Sequence, residues 1–275
     1  MAKCVFCGEP AGWFRDRHKE CVEQFETSVN GIRYLTTHAI TAHQPPDAAL
    51  ASNRKMESEG RLDPNDTEGA IVEGIDRALD YFLSDELLSK EEEASIDKYL
   101  AVLPVSVESL DKAGITQQIV KASVIRGVMN DEVVDPPRSV SANLPFLFQR
   151  SERLIWAFQG VDYHEMTTRR EFRGGSQGIS VRITKGVYYR TSAFKGQPVE
   201  IDELRHIANG PLALTTKHIY FGSERKSFKI PYTKLVALNT YSDAIRVQKD
   251  GVRSKPQIFR GLDGWFASNI ISNAQ

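Results

Sequence analysis

Three cysteines are all that this 275-residue chain contains, and none lies beyond position 21. Three thiols cannot all pair with one another, and their confinement to one end favours a metal site over a disulfide framework. Long apolar runs are missing too. No stretch approaches the roughly 18 apolar residues of a spanning helix, and the opening MAKCVFCGEP has no apolar signal core, so a cytoplasmic location is expected. There is no tandem repeat and no extended low-complexity segment. The chain also lacks a recognisable catalytic constellation. His164, His206 and His218 have no sequence-local carboxylate or nucleophile motif beside them and read as isolated histidines. The glycine-rich RGGSQG at 173–178 lies between two predicted strands, without the following helix and the Lys-Ser/Thr of a phosphate loop. A non-enzyme is therefore expected.

What is present is organised by charge. The formal net charge is −1, yet residues 1–137 hold 14 Lys+Arg against 25 Asp+Glu, and residues 138–275 hold 21 against 11. Such segregation can attract an anionic partner to the second half, and it can equally dock the acidic 1–137 segment on the basic 138–275 segment.

Cys4 and Cys7 form a C-x-x-C pair followed by Gly8, which permits a tight turn. His18 and Cys21 form a second, H-x-x-C pair at the start of a predicted helix. Thiolates are soft anionic donors and imidazole suits zinc, so one cation can neutralise three thiolates in a tetrahedral cage. The spacing resembles a treble-clef zinc finger. Four protein ligands leave no open coordination position, so a structural Zn2+ is expected, with reduced free thiols and a catalytic metal as the alternatives. Arg15, Arg17 and Lys19 beside the pair can contact phosphate, although Asp16 and Glu20 interleave with them.

Val22, Phe25, Val29, Ile32 and Leu35 recur at steps of three or four and predict a helix after the cysteine cluster. Residues 1–43 are read as finger plus helix, and the proline-bearing, polar 44–62 as a linker, with room for a helical portion. Asp63-Pro64 starts the next helix, with Ile71, Ile75, Leu79 and Phe82 on one stripe. Ser89 and Glu92 have capping-box spacing, and Ile115, Ile119, Ala122, Ile125 and Met129 align on a further helix. Residues 63–132 are thus a helical bundle. Its Glu91, Glu92 and Glu93 fit the first turn of a helix, where the dipole favours acids. ALDYFLSDELLSKEEEASIDKYLAVL is similar to helical domains of the tellurite-resistance TerB type. That resemblance implies a role in stress response or phage defence and assigns no site residue.

After a second linker, 133–149, the period changes to strands rich in β-branched and aromatic residues, clearest at Ser180–Ile183, Ile219–Phe221 and Ile245–Val247. Trp265, Phe266 and Ile270 lie on a terminal helix suited to cover one end of a bent sheet. The block GPLALTTKHIYFGSERKSFKIPYTKLVAL resembles bacterial PH-like domains of the GRAM type. The resemblance covers 150–275 and implies an antiparallel barrel or sandwich capped by a helix that reads lipid, peptide or protein. The expected fold class is therefore α+β and multidomain. Arg169, Arg170, Arg173, Arg182, Lys185, Arg190 and Lys195 can converge at the mouth of the sheet and bind an anionic lipid head group or an acidic protein. Basic residues on an exposed sheet also protect against edge pairing. The expected role is a cytoplasmic binding or adaptor protein, and nucleic-acid binding through the finger and basic strands is the alternative.

Overall fold

The computed structural model describes the chain except residues 1, 13–14, 86, 134–135, 138–139, 141–143, 174–175, 185–186, 195–196, 252–253 and 275. For residues 85 and 168–202 it describes the backbone alone. The chain is α+β and forms two compact units, 1–133 and 134–275.

The first unit opens with a two-stranded hairpin, β1 (Ala2–Lys3) and β2 (Pro10–Gly12), and continues as α1 (Lys19–Thr41). Then come α2 (Pro46–Gly60), α3 (Pro64–Phe82), α4 (Lys90–Leu100), α5 (Val107–Ala113) and α6 (Ile115–Met129). Local chemistry sets several of these ends. Asp63 caps α3 by accepting from the Asp66 N–H at 2.8 Å, with Pro64 at the first helical position, where its missing N–H costs nothing. Ser89 and Glu92 form the expected reciprocal box at α4: Ser89 Oγ accepts from the Glu92 N–H, and Glu92 accepts from the Ser89 N–H at 2.8 Å.

The expected division of this half into finger, linker and bundle differs from what is observed. Segment 44–62 carries α2, and Ile32 and Ile40 of α1 share one core with Ala49 of α2, Ile75 of α3 and Ile96 of α4. The reason is a close helix crossing. A Cβ on Gly74 of α3 would lie 2.7 Å from the Thr36 Cβ of α1, so glycine lets the two backbones approach, and Thr37 Oγ1 donates to the Gly74 carbonyl at 2.9 Å.

The second unit is built on a seven-stranded antiparallel sheet. Its members are β3 (Leu154–Arg173), β6 (Gln197–Thr215), β7 (His218–Gly222), β8 (Ser227–Pro231), β9 (Leu235–Thr240), β10 (Ala244–Lys249) and β11 (Gln257–Arg260). The spatial order is β8-β7-β6-β3-β11-β10-β9: strands next to each other in the sheet's chain order pair, except that β8 and β9 stand at opposite edges, and the first, β3, pairs with the last, β11. The terminal helix α7 (Gly264–Asn273) touches β9 and β10 near one edge and β6 toward the other, so the sheet curves around it. Phe266 is fully buried there, edge-on to Trp156 at 5.0 Å between ring centres.

Two features of this half were not expected. Residues 197–211 belong to β6, although their acidic residues and prolines obscure the strand pattern. Within the segment 133–149, read as a linker, Val140, Leu144, Phe146 and Phe148 pack on Ala157, Ala213 and Tyr220 of the sheet. The β3–β6 pair also runs past the sheet. β3 last meets β11 at Glu165, while its pairing with β6 continues to Arg173 opposite Gln197. A separate hairpin, β4 (Ser176–Thr184) with β5 (Val187–Phe194), is inserted between those two strands in the chain.

Candidate metal centre

Cys4, Cys7, His18 and Cys21 come together. One donor atom from each lies within 4.8 Å of the other three. The hairpin places the first pair: the Cys4 N–H donates to the Glu9 carbonyl and the Gly8 N–H to the Cys4 carbonyl, both at 2.8 Å, around Gly8 at φ +74°. That left-handed turn favours glycine. Helix α1 places the second pair, with His18 as its N-cap and Cys21 three residues on, hence on the same face of the first turn. The positive end of the helix dipole therefore lies beside the thiols. Phe6 packs against Phe25 of α1, the rings tilted with centres 4.9 Å apart, which pins the hairpin against the helix.

His18 is held from both sides. Its Nε2 lies 3.1 Å from the Pro10 carbonyl oxygen, which can only accept, so Nε2 carries the proton and Nδ1 presents a lone pair. Nδ1 lies 3.3 Å from Cys7 Sγ and 3.8 Å from Cys21 Sγ. The edges of a tetrahedral zinc site run about 3.5–3.8 Å, given Zn–S of about 2.3 Å and Zn–N of about 2.0 Å. The cluster is thus compatible with a metal ion such as zinc, with the ring oriented by a backbone carbonyl as metal-bound histidines usually are.

The electrostatics favour a thiolate at Cys4. Cys4 is buried, which alone would raise its pKa, but the backbone N–H groups of His18, Cys7 and Phe6 and the Cys7 side chain outweigh this and bring it to about 6. The Pro10 carbonyl, then Cys7, raises His18, while burial and then the neighbouring sulfurs raise Cys21. Arg61, at the C-cap of α2, reaches Cys21 Sγ at 3.8 Å, a cation beside a thiol whose pKa is raised. Neither Pro10 nor Arg61 was foreseeable: Pro10 contributes a backbone atom, and Arg61 lies 40 residues from Cys21.

The other expected site residues fare differently. Arg17 lies over the Phe6 ring at 5.7 Å, and Lys19 pairs with Glu23 at 3.5 Å within α1. The backbone places Arg169, Arg170 and Arg173 on the distal part of β3, opposite Ile201, Glu200 and Gln197. Arg182 stands opposite Tyr188 and Arg190 opposite Ser180 on the β4–β5 hairpin. Lys185 and Lys195 lie outside the described residues.

The histidines gain partners that the sequence did not announce. His164 and His206 face each other across β3 and β6, and His206 Nε2 lies 3.1 Å from Asp162 Oδ1. His218 Nδ1 lies 2.7 Å from the fully buried Glu152 carboxylate, which also accepts from Tyr220 at 2.9 Å and Thr215 at 3.3 Å. Burial and then Glu152 push Tyr220 up to about 12.

No family model matches this chain, and no curated protein or solved structure matches it. Among the described residues no helix is long and apolar enough to cross a membrane.

Proposed function

We propose that the chain is a non-catalytic binding protein with a structural zinc ion at one end and a PH-like reader of an anionic partner at the other. The observation that carries the zinc reading is the His18 ring, fixed through Nε2 to Pro10 while Nδ1 faces the sulfurs of Cys7 and Cys21. Four donors complete a tetrahedral shell, and zinc so held stabilises a fold without a position for substrate. The hairpin and first helical turn have little apolar mass of their own, so the ion would supply the folding energy of residues 2–21.

The PH-like reading is supported by the meander in which the first and last of seven strands pair, and by the terminal helix held inside the curve. Residues 173–195 contain five Lys+Arg and no Asp or Glu, which suits a partner rich in phosphate or carboxylate. A cleft of about 710 Å³ beside the β7–β8 turn, with Arg225 and His206 on its wall, offers such a partner a second contact.

Flotation of the full chain with phosphatidylserine-containing vesicles, against phosphatidylcholine alone, tests the lipid form of this reading. Co-migration that disappears when Arg182 and Arg190 are both replaced by Ser supports it. Binding to neither vesicle leaves a protein partner as the reader's target. The acid-free stretch favours one second reading: a two-stranded ribbon fits the major groove of DNA. That reading requires duplex binding that weakens steeply and log-linearly with salt. Elemental analysis tests the metal, with one zinc per chain expected and none counting against it.

A further inference from the structure

We propose that the face of the sheet turned away from α7 is a docking groove for an extended partner segment of the pattern aromatic-x-aromatic followed by Asn or Gln, and that residues 144–148 of the chain itself occupy it as a displaceable stand-in. The groove follows a row of directly opposed residues. Ala157 of β3 faces Ala213 of β6, Ala213 faces Tyr220 of β7, and Tyr220 faces Lys229 of β8. Side chains alternate across a strand, so this row points away from Trp156 and Phe158, whose rings meet Phe266 of α7. Two alanines beside a tyrosine leave a step on that face.

Phe146 and Phe148 fill the step, with ring centres 5.7 Å and 5.2 Å from that of Tyr220. Gly222 makes room for the first, since a Cβ there would come within 2.7 Å of the Phe146 ring. Leu147 between them is 96% exposed, so the segment runs extended with alternate residues turned down. Its attachment is one-sided. Residues 144–148 make no backbone–backbone hydrogen bond among the described residues, and Pro145 borders the open cleft of about 710 Å³ beside the β7–β8 turn. A covering held by side chains alone can leave without breaking a strand pair.

The residue after the second aromatic is specified by charge on both sides. In the orientation that satisfies both neighbours, the Gln149 amide donates to the Glu152 carboxylate at 3.0 Å and accepts from Lys229 Nζ at 2.5 Å. A carboxylate in its place would face Glu152, and an ammonium would face Lys229, whereas an amide serves both at once. The groove draws on neither the basic hairpin nor the metal centre, so it stands whether or not those bind.

The test uses the full chain and a fluorescent peptide of the chain's own sequence LPFLFQ, residues 144–149, with LPALAQ and LPFLFE as controls. Phe146→Ala combined with Phe148→Ala loosens the resident segment and should bind LPFLFQ saturably. The unaltered chain should bind it at least about tenfold more weakly, because its tethered segment competes at high effective concentration. On the double variant LPALAQ should show no saturable binding, and LPFLFE should be about tenfold weaker than LPFLFQ. Phe148→Leu keeps most of the buried volume, which guards against loss of fold, and should bind LPFLFQ with intermediate strength. No saturable binding to either variant would overturn the proposal, as would equal binding of LPALAQ. Loss of amide protection in β7 and β11 already in Phe148→Leu would make the segment an integral part of the sheet unit and overturn it too. Self-association of the unaltered chain that LPFLFQ competes away would give the groove to a second copy instead.

Discussion

The two units solve the burial of polar groups at different ranges along the chain. In residues 1–133 the helix ends are settled within three or four residues, as at Asp63 and Ser89, and the core is an apolar stripe from each helix. In residues 134–275 the bonds that fix the interior span the sequence. Tyr220 reaches Glu152 across 68 residues, and the Gln257 amide donates to the Tyr163 hydroxyl across 94. The helix ends of the first unit are specified by neighbours, while its interior uses some distant pairs as well, such as the Ser95 hydroxyl donating to the Ile40 carbonyl across 55 residues; the polar pairs of the sheet unit reach further still. The candidate metal centre belongs to neither pattern: its donors lie close in sequence, and on the proposed reading an ion holds them together.

Removing the proposed ion is the sharpest way to tell the units apart. Chelation, or Cys4→Ser, should abolish stoichiometric zinc and release residues 2–17 from α1, a loss of order 10 kcal/mol in local binding free energy by comparison with zinc-finger peptides. Hydrogen exchange should rise across the hairpin and first turn of α1 and stay unchanged in β6, β7 and β11. Equal loss of protection in the sheet would break the division.

The next effect belongs to the sheet. Glu152→Ala removes the carboxylate that serves His218, Tyr220 and Thr215 in a fully buried position. Stripping one member from a buried ionic or hydrogen-bonded group costs about 3–5 kcal/mol. Urea titration should show an early transition of the sheet unit with the helical transition in place.

These two ranges also explain what could be read from residues alone. Cys4, Cys7, His18 and Cys21 were legible because the spacings C-x-x-C and H-x-x-C are local. So were the caps at Asp63 and Ser89, where side chain and backbone partner lie three residues apart. Helix α2 was read as linker because its buried positions are Ala49, Asn53 and Gly60, which give almost no contrast between apolar and polar faces. The first part of strand β6 was hidden by Pro198, Glu200, Asp202 and Glu203, a proline and three acids on a ribbon that extends past the sheet, while its end at 212–215 was legible. The Glu152–His218 contact carries no local signature, because it exists only once β6 and β7 are folded beside the segment that precedes β3.

A smaller effect sharpens the helical side. Ser89→Ala removes the side-chain acceptor for the Glu92 N–H and should cost about 1 kcal/mol, read as a lower urea midpoint of the helical transition alone. Ser89→Gly should cost only a few tenths of that, since glycine is itself a tolerated cap.

The smallest effect differs in sign between the units. Burial, then Asp80 and Glu73 on the same helix, holds the Asp76 carboxyl above the ordinary carboxylate range. The folded chain therefore binds that proton more tightly than the unfolded chain, so this group's contribution rises as pH falls through its folded pKa and levels off below the unfolded value near ~4. Asp76→Asn should stabilise the helical unit at neutral pH by about 0.5 kcal/mol, the size of like-charge i,i+4 repulsion, and the gain should vanish in acid. In the sheet, the Asn209 amide and then His206 hold Asp162 below the ordinary range, which makes its contribution present above pH ~4 and lost as pH falls through the folded value. Asp162 is about half exposed, so Asp162→Asn should destabilise the sheet unit at neutral pH by only a few tenths of a kcal/mol. Urea midpoints of both variants at neutral and acid pH measure the two effects, and midpoints that move in the same direction would show that the local charge environments of the two carboxylates do not set these signs.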